Sequence, residues 1–137
     1  MLEPLAAFGN HLPIRIRFGD GEISRLPAIL AEEGVQSTVV IIDRAVSEHP
    51  AIVKALNDSP GTITTWIKEP GEPTTDEVAA SAAVLADVKA DALIAVGGGS
   101  AMDTAKAARL VYGSGIPYAD WAAGKAAYTE SPVLFVT

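Results

Sequence analysis

The apolar run Ala92-Leu93-Ile94-Ala95-Val96 passes directly into Gly97-Gly98-Gly99-Ser100, and the residues that follow have helical composition. A buried strand that hands over to a helix through bare glycines belongs in a parallel sheet covered by helices. Without side chains, the backbone at such a junction can approach a ligand closely and take up positive φ. The first amides of the helix lack intrahelical partners, and the helix dipole adds partial positive charge there. A phosphate or pyrophosphate placed at that end finds ready donors. The competing reading is a turn needed only for tight strand–helix packing. Consecutive glycines are costly in backbone entropy for that purpose alone.

The rest of the chain repeats the same alternation. Ile14 to Phe18 alternates apolar and basic residues and reads as a half-exposed edge strand, followed by a Gly19-Asp20-Gly21 turn. A helix is expected from about Ser24 to Glu33, with Pro27 in its first turn and Gly34 at its end. Thr38 to Ile42 is a continuous apolar run ending at Asp43, which suits a central strand buried on both faces. Ser47 is expected to cap a helix over Glu48 to Asn57, with Pro50 in its first turn. Ile63 to Ile67 is the next strand, and the Glu69-Pro70-Gly71-Glu72-Pro73 segment is a loop. Thr74 and Glu77 form a capping box for an alanine-rich helix reaching about Lys89. Ser100 to Tyr112 is the helix after the glycines, Gly113 to Pro132 a loop, and a last strand begins at Val133. The expected fold is therefore α/β, three-layered and Rossmann-like, with a mostly parallel sheet and one domain over residues 1–137.

Two familiar phosphate motifs fail at the glycine loop. Both the Walker pattern and the Gly-x-Gly-x-x-Gly fingerprint require a glycine where Met102 stands. In the Rossmann order a ribose-binding acid follows the glycines, whereas here Asp43 precedes them. A carboxylate at the end of a buried strand can accept the hydroxyls of an adenosine ribose and repel a 2′-phosphate. Asp43 is equally readable as a solvated loop residue or a turn cap. Ser100 and Asp103 have capping-box spacing, and Lys106 stands one turn beyond Asp103, so this trio has a structural reading at least as strong as ligand contact. His11 and His49 have no further ligand at metal-binding spacing and read as surface residues. Tyr118, Trp121 and Tyr128 read as cover for a core edge before they read as a pocket.

Composition narrows the classes. The absence of cysteine removes thiolate catalysis, cysteine-ligated zinc and disulfides. A net charge of −7 argues against a nucleic-acid partner, which needs clustered Lys and Arg. No stretch approaches the roughly 20 apolar residues of a membrane helix, and Met1 to Asn10 lacks a signal-peptide pattern, so a cytoplasmic protein is expected.

The segment from Gly97 through Lys106 resembles the Gly-Gly-Gly-Ser-x-x-Asp-x-Ala-Lys signature of the iron-containing alcohol dehydrogenase family, a group related to glycerol dehydrogenases, maleylacetate reductases and dehydroquinate synthases. Phe18 to Gly21, Ile41 to Asp43 and Pro70 to Thr74 add weaker matches. The resemblance implies an N-terminal nucleotide-binding domain, with a helical domain that carries a divalent metal, usually iron, lying outside this sequence. It assigns the pyrophosphate to Gly97, Gly98, Gly99 and Ser100, with Asp103 beside them, and the adenosine ribose to Asp43. Thr137 falls at the start of the family's Thr-rich segment near the phosphates and nicotinamide. The implied reaction is hydride transfer between NAD, or NADP, and a small alcohol or carbonyl substrate.

A chain stopping within a strand at Thr137 is expected to be the first part of something longer, and to be inactive by itself. Other readings are a dehydroquinate-synthase-like lyase that uses NAD transiently and a non-catalytic nucleotide-binding module. The edge strand over Ile14 to Phe18 leaves homo-oligomer formation open.

Overall fold

A computed structural model describes residues 14–127 and 131–137. Met1 to Asn10, His11 and Tyr128, each read above from sequence, lie outside the described residues. Within the described residues four strands form one sheet: β1 (Ser37–Asp43), β2 (Thr62–Lys68), β3 (Ala92–Val96) and β4 (Leu134–Val136). Their order is β2-β1-β3-β4 and every pairing is parallel. Among the described residues five α-helices accompany them: α1 (Leu26–Glu32), α2 (Pro50–Asn57), α3 (Thr75–Asp87), α4 (Gly99–Ser114) and α5 (Tyr118–Ala122).

The central strands β1 and β3 are apolar on both faces because each face is covered. Val39 and Ile41 point with Leu93 and Ala95 into a core completed by Ala82 and Leu85 of α3 and Ala105 and Ala108 of α4. Val40 and Ile42 point with Ala92 and Ile94 the other way, against Leu26 and Leu30 of α1 and Ile52 and Leu56 of α2. This alternation within continuous apolar runs produces the three layers. Small side chains on α3 and α4 let these neighbouring helices sit close to the sheet. At the amino ends of the strands, the Asp91 carboxylate accepts the amides of Gln36 and Ser37 at 3.0 and 2.9 Å, tying the entry of β3 to that of β1.

The capping box forms as expected. The Thr74 hydroxyl accepts the Glu77 amide at 3.2 Å and the Glu77 carboxylate accepts the Thr74 amide at 2.9 Å. Three expectations are corrected. Ile14 to Phe18 is no strand of this sheet; Arg15 pairs with Glu33 at the end of α1, and Ile14, Ile16 and Phe18 stay exposed. Ser47 does not cap α2, because a short 3-10 turn over Arg44–Val46 directs its hydroxyl to the Arg44 carbonyl at 2.9 Å. His49 takes that role, with Nδ1 accepting the Ala51 amide and Pro50 opening the helix. The segment read as a loop after Gly113 contains α5, held where the Trp121 indole N–H donates to the Ser114 hydroxyl at 3.2 Å.

Candidate functional site

Because all four strands run parallel, their carboxyl ends converge on one edge of the sheet. That edge carries Asp43 at the end of β1, Lys68 at the end of β2, Gly97 just after β3 and Thr137 just after β4. The strand order reverses direction between β1 and β3, and open α/β sheets offer their binding crevice outside the carboxyl ends at such a point. Asp43 and Gly97 flank it. Gly97 adopts φ of +141°, and a Cβ built there would stand 2.6 Å from the Asp43 Cβ and 3.3 Å from that of Ala101. Only glycine satisfies both the backbone and the space at this position.

Gly98 and Gly99 differ from Gly97. A Cβ on either would meet no protein atom within 4 Å. Their bareness is therefore not demanded by packing within the described residues, and it leaves an open cradle in front of α4. Gly98 is the N-cap of α4 and supplies no side-chain acceptor to its first amides. The capping box expected from Ser100 and Asp103 does not form. Ser100 lies inside the first turn, and its hydroxyl donates instead to the Gly71 carbonyl at 2.7 Å. Asp103 points to solvent and pairs with Lys106 at 3.3 Å, as the one-turn spacing suggested. The first turn of α4 thus presents backbone donors that no side chain caps, the arrangement that suits a pyrophosphate.

Sequence reasoning missed the support behind this cradle. Lys68 is 1% exposed, and its ammonium donates to the carbonyls of Glu69 and Gly71 at 2.6 and 3.1 Å while pairing with the Glu77 carboxylate at 3.1 Å. The Gly71 carbonyl therefore receives both Lys68 and Ser100, joining the 69–73 loop to the first turn of α4. Burial raises the Glu77 pKa, but the Thr74 amide, the Lys68 ammonium and the Thr74 hydroxyl outweigh it and leave the carboxyl below its ordinary value. The signal in the sequence was a lysine closing an otherwise apolar and threonine-rich strand. Its partners lie in a loop and a helix that periodicity does not place beside it.

One step beyond the last β1–β2 rung, Asp43 opposite Lys68, the Arg44 guanidinium grips the Glu69 carboxylate through Nε at 2.7 Å and through Nη2. The hydrogen bond to Glu69 is the main influence that raises the Arg44 pKa, and the same bond lowers that of Glu69. Both side chains are exposed. Among the described residues, no three His, Cys, Asp or Glu side chains converge where a metal ion would sit, so this donor set does not fit the iron implied by the resemblance. No helix among them is long and apolar enough to cross a membrane. A shallow concavity lined by Ala90, Asp91, Tyr112, Gly113, Pro132 and Val133 lies at the opposite end of the strands and shares nothing with the glycine cradle.

A family model described as iron-containing alcohol dehydrogenase matches residues 13–137. A phosphonoacetaldehyde reductase of Streptomyces viridochromogenes is 38% identical over 92 residues, which are 64% of this chain and 22% of that protein. The crystal structure of NADH-dependent butanol dehydrogenase A from Thermotoga maritima superimposes with a TM-score of 0.83 at 22% identity, covering 91% of this chain and 32% of that one. Sulfoacetaldehyde reductase from Bifidobacterium kashiwanohense, in complex with NAD+, superimposes with a TM-score of 0.75 at 24% identity, covering 84% and 31%. At these identities the two solved structures speak for the fold. The chain spans less than a third of the length of each of these relatives.

Proposed function

The chain belongs to the iron-containing alcohol dehydrogenase family, and from that premise we propose that it is the nucleotide-binding part of an NAD(P)-dependent alcohol dehydrogenase or carbonyl reductase. The observation that carries this reading is the open Gly98–Gly99 cradle before an uncapped α4, beside Asp43 at the crevice between β1 and β3. In this reading the amides at the start of α4 hold the pyrophosphate, with Gly97 fixing the approach and Asp103 at the rim. The Asp43 carboxylate accepts the adenosine ribose hydroxyls and disfavours a 2′-phosphate, so NAD is preferred to NADP. Thr137, at the carboxyl end beside β3, flanks the phosphates from the β4 side. Ser100 contributes its amide, while its hydroxyl braces the 69–73 loop.

The substrate is a small alcohol or carbonyl compound, a class consistent with the names of the relatives above. A divalent metal bound by the enzyme would polarise the substrate oxygen during hydride transfer. The residues of this chain bind and orient the nucleotide, and no metal role is assigned to them. Calorimetric titration of the chain with NAD+ and NADP+ tests the reading. Saturable binding of NAD+, tighter than NADP+ by about tenfold or more, is expected from the like charge facing the 2′ position. Binding of neither nucleotide overturns it.

A further inference from the structure

The charges beside Asp43 conflict unless they are considered together. Arg44 follows the ribose-facing carboxylate directly, and a planar guanidinium is the side chain best suited to grip a phosphate through paired hydrogen bonds. A free arginine there would invite the 2′-phosphate that Asp43 repels. The fork is not free, because Nε and Nη2 both donate to the Glu69 carboxylate across the β1–β2 edge. Glu48 adds a further negative field on Arg44. We propose that Glu69 is a second determinant of nucleotide choice, holding the Arg44 guanidinium away from the 2′-phosphate of NADP. This rests on the placement of the adenosine ribose at Asp43 and adds to it a latch that a single carboxylate does not supply.

The arrangement makes the preference adjustable from the β2 side of the crevice. Loss of Glu69 removes one repelling charge and also releases the arginine fork. Those two effects are separable with a second substitution. The native 137-residue chain, Glu69→Gln and the double variant Arg44→Met with Glu69→Gln are titrated with NAD+ and NADP+ at low salt. Both side chains are exposed, and superimposable circular-dichroism melts establish that the variants fold alike. Glu69→Gln is expected to raise NADP+ affinity relative to NAD+ by about tenfold, the scale of one charge-assisted phosphate contact. The double variant is expected to lose most of that gain. An unchanged ratio in Glu69→Gln, with NAD+ still bound by the native chain, overturns the latch and leaves the site reading standing. A gain retained in full by the double variant also overturns it, since charge removal alone then accounts for the change. Binding of neither nucleotide by the native chain overturns the site reading and the latch together.

Discussion

Gly97 lies so close to Asp43 that a Cβ on the glycine would stand 2.6 Å from the Cβ of the aspartate. The close approach brings the end of β3 against the end of β1, where the strand order reverses. Gly97→Ala forces either the backbone out of φ +141° or the aspartate out of place. The expected loss is about 2–4 kcal/mol of folding stability, combining backbone strain with overpacking. Urea denaturation of the native chain and the variant measures it; equal midpoints would show that the contact is slack.

Gly98→Ala and Gly99→Ala carry the opposite expectation. The added methyl meets no protein atom at either position, and neither glycine has positive φ. Gly98→Ala is expected to cost no more than about 1 kcal/mol, since alanine is a poorer N-cap than glycine, and Gly99→Ala to be neutral or stabilising by up to about 1 kcal/mol as the first helical residue. The same urea titrations check this. A loss comparable to that of Gly97→Ala would mean that packing, rather than ligand access, demands these glycines.

Lys68→Met keeps most of the unbranched side chain, one atom shorter, and removes its charge. Glu77 then loses its ion-pair partner, and the Glu69 and Gly71 carbonyls lose a donor. Breaking a buried pair costs about 3–5 kcal/mol; the Glu77 side chain keeps 24% of its surface exposed, so about 2–4 kcal/mol is expected here. Thermal and urea unfolding measure the loss. Amide hydrogen exchange is expected to rise at Thr74, whose amide donates to Glu77, and at Met102, whose amide closes the first turn of α4 on the Gly98 carbonyl, because the shared Gly71 carbonyl connects the two ends. Unchanged exchange at α4 would separate the lysine from the cradle.

Acid reads the same network. The Glu77 carboxyl titrates below its ordinary value of 4.5 in the folded chain. A depressed folded pKa contributes stability that is present above the unfolded value and lost as pH falls through the folded one. Stability is therefore expected to decline from about pH 4.5 downward, and Glu77→Gln is expected to flatten that part of the profile. Urea midpoints measured from pH 6 to pH 3 test it, and identical profiles for the two chains would remove Glu77 from the acid response.

The legible parts of this molecule are those written in contiguous residues. The runs ending at Asp43 and Val96, the glycines after Val96 and the Thr74–Glu77 cap each carry their geometry within a few positions. Ser100 has cap spacing to Asp103, its near neighbour in the helix, whereas its acceptor is the Gly71 carbonyl, 29 residues earlier. Ile14 to Phe18 has the alternation of a strand, but alternation describes a face and does not supply a neighbour. Lys68 and the Arg44–Glu69 pair depend on which strands lie side by side, and the register of β1 with β2 becomes visible only in three dimensions.

Binding of the nucleotide pyrophosphate at the cradle before α4 is tested by Gly98→Val. The backbone of Gly98, φ −87° and ψ −170°, is extended and open to residues with a side chain, and a Cβ there would stand in open space. Calorimetric titration of the native chain with NAD+ is expected to be saturable and competed by ADP. In Gly98→Val, shown to be folded at the titration temperature by a cooperative melting curve, affinity is expected to fall at least about tenfold because the branched side chain crowds the phosphate position. Equal NAD+ affinity in the two chains would mean that the pyrophosphate does not bind at this cradle.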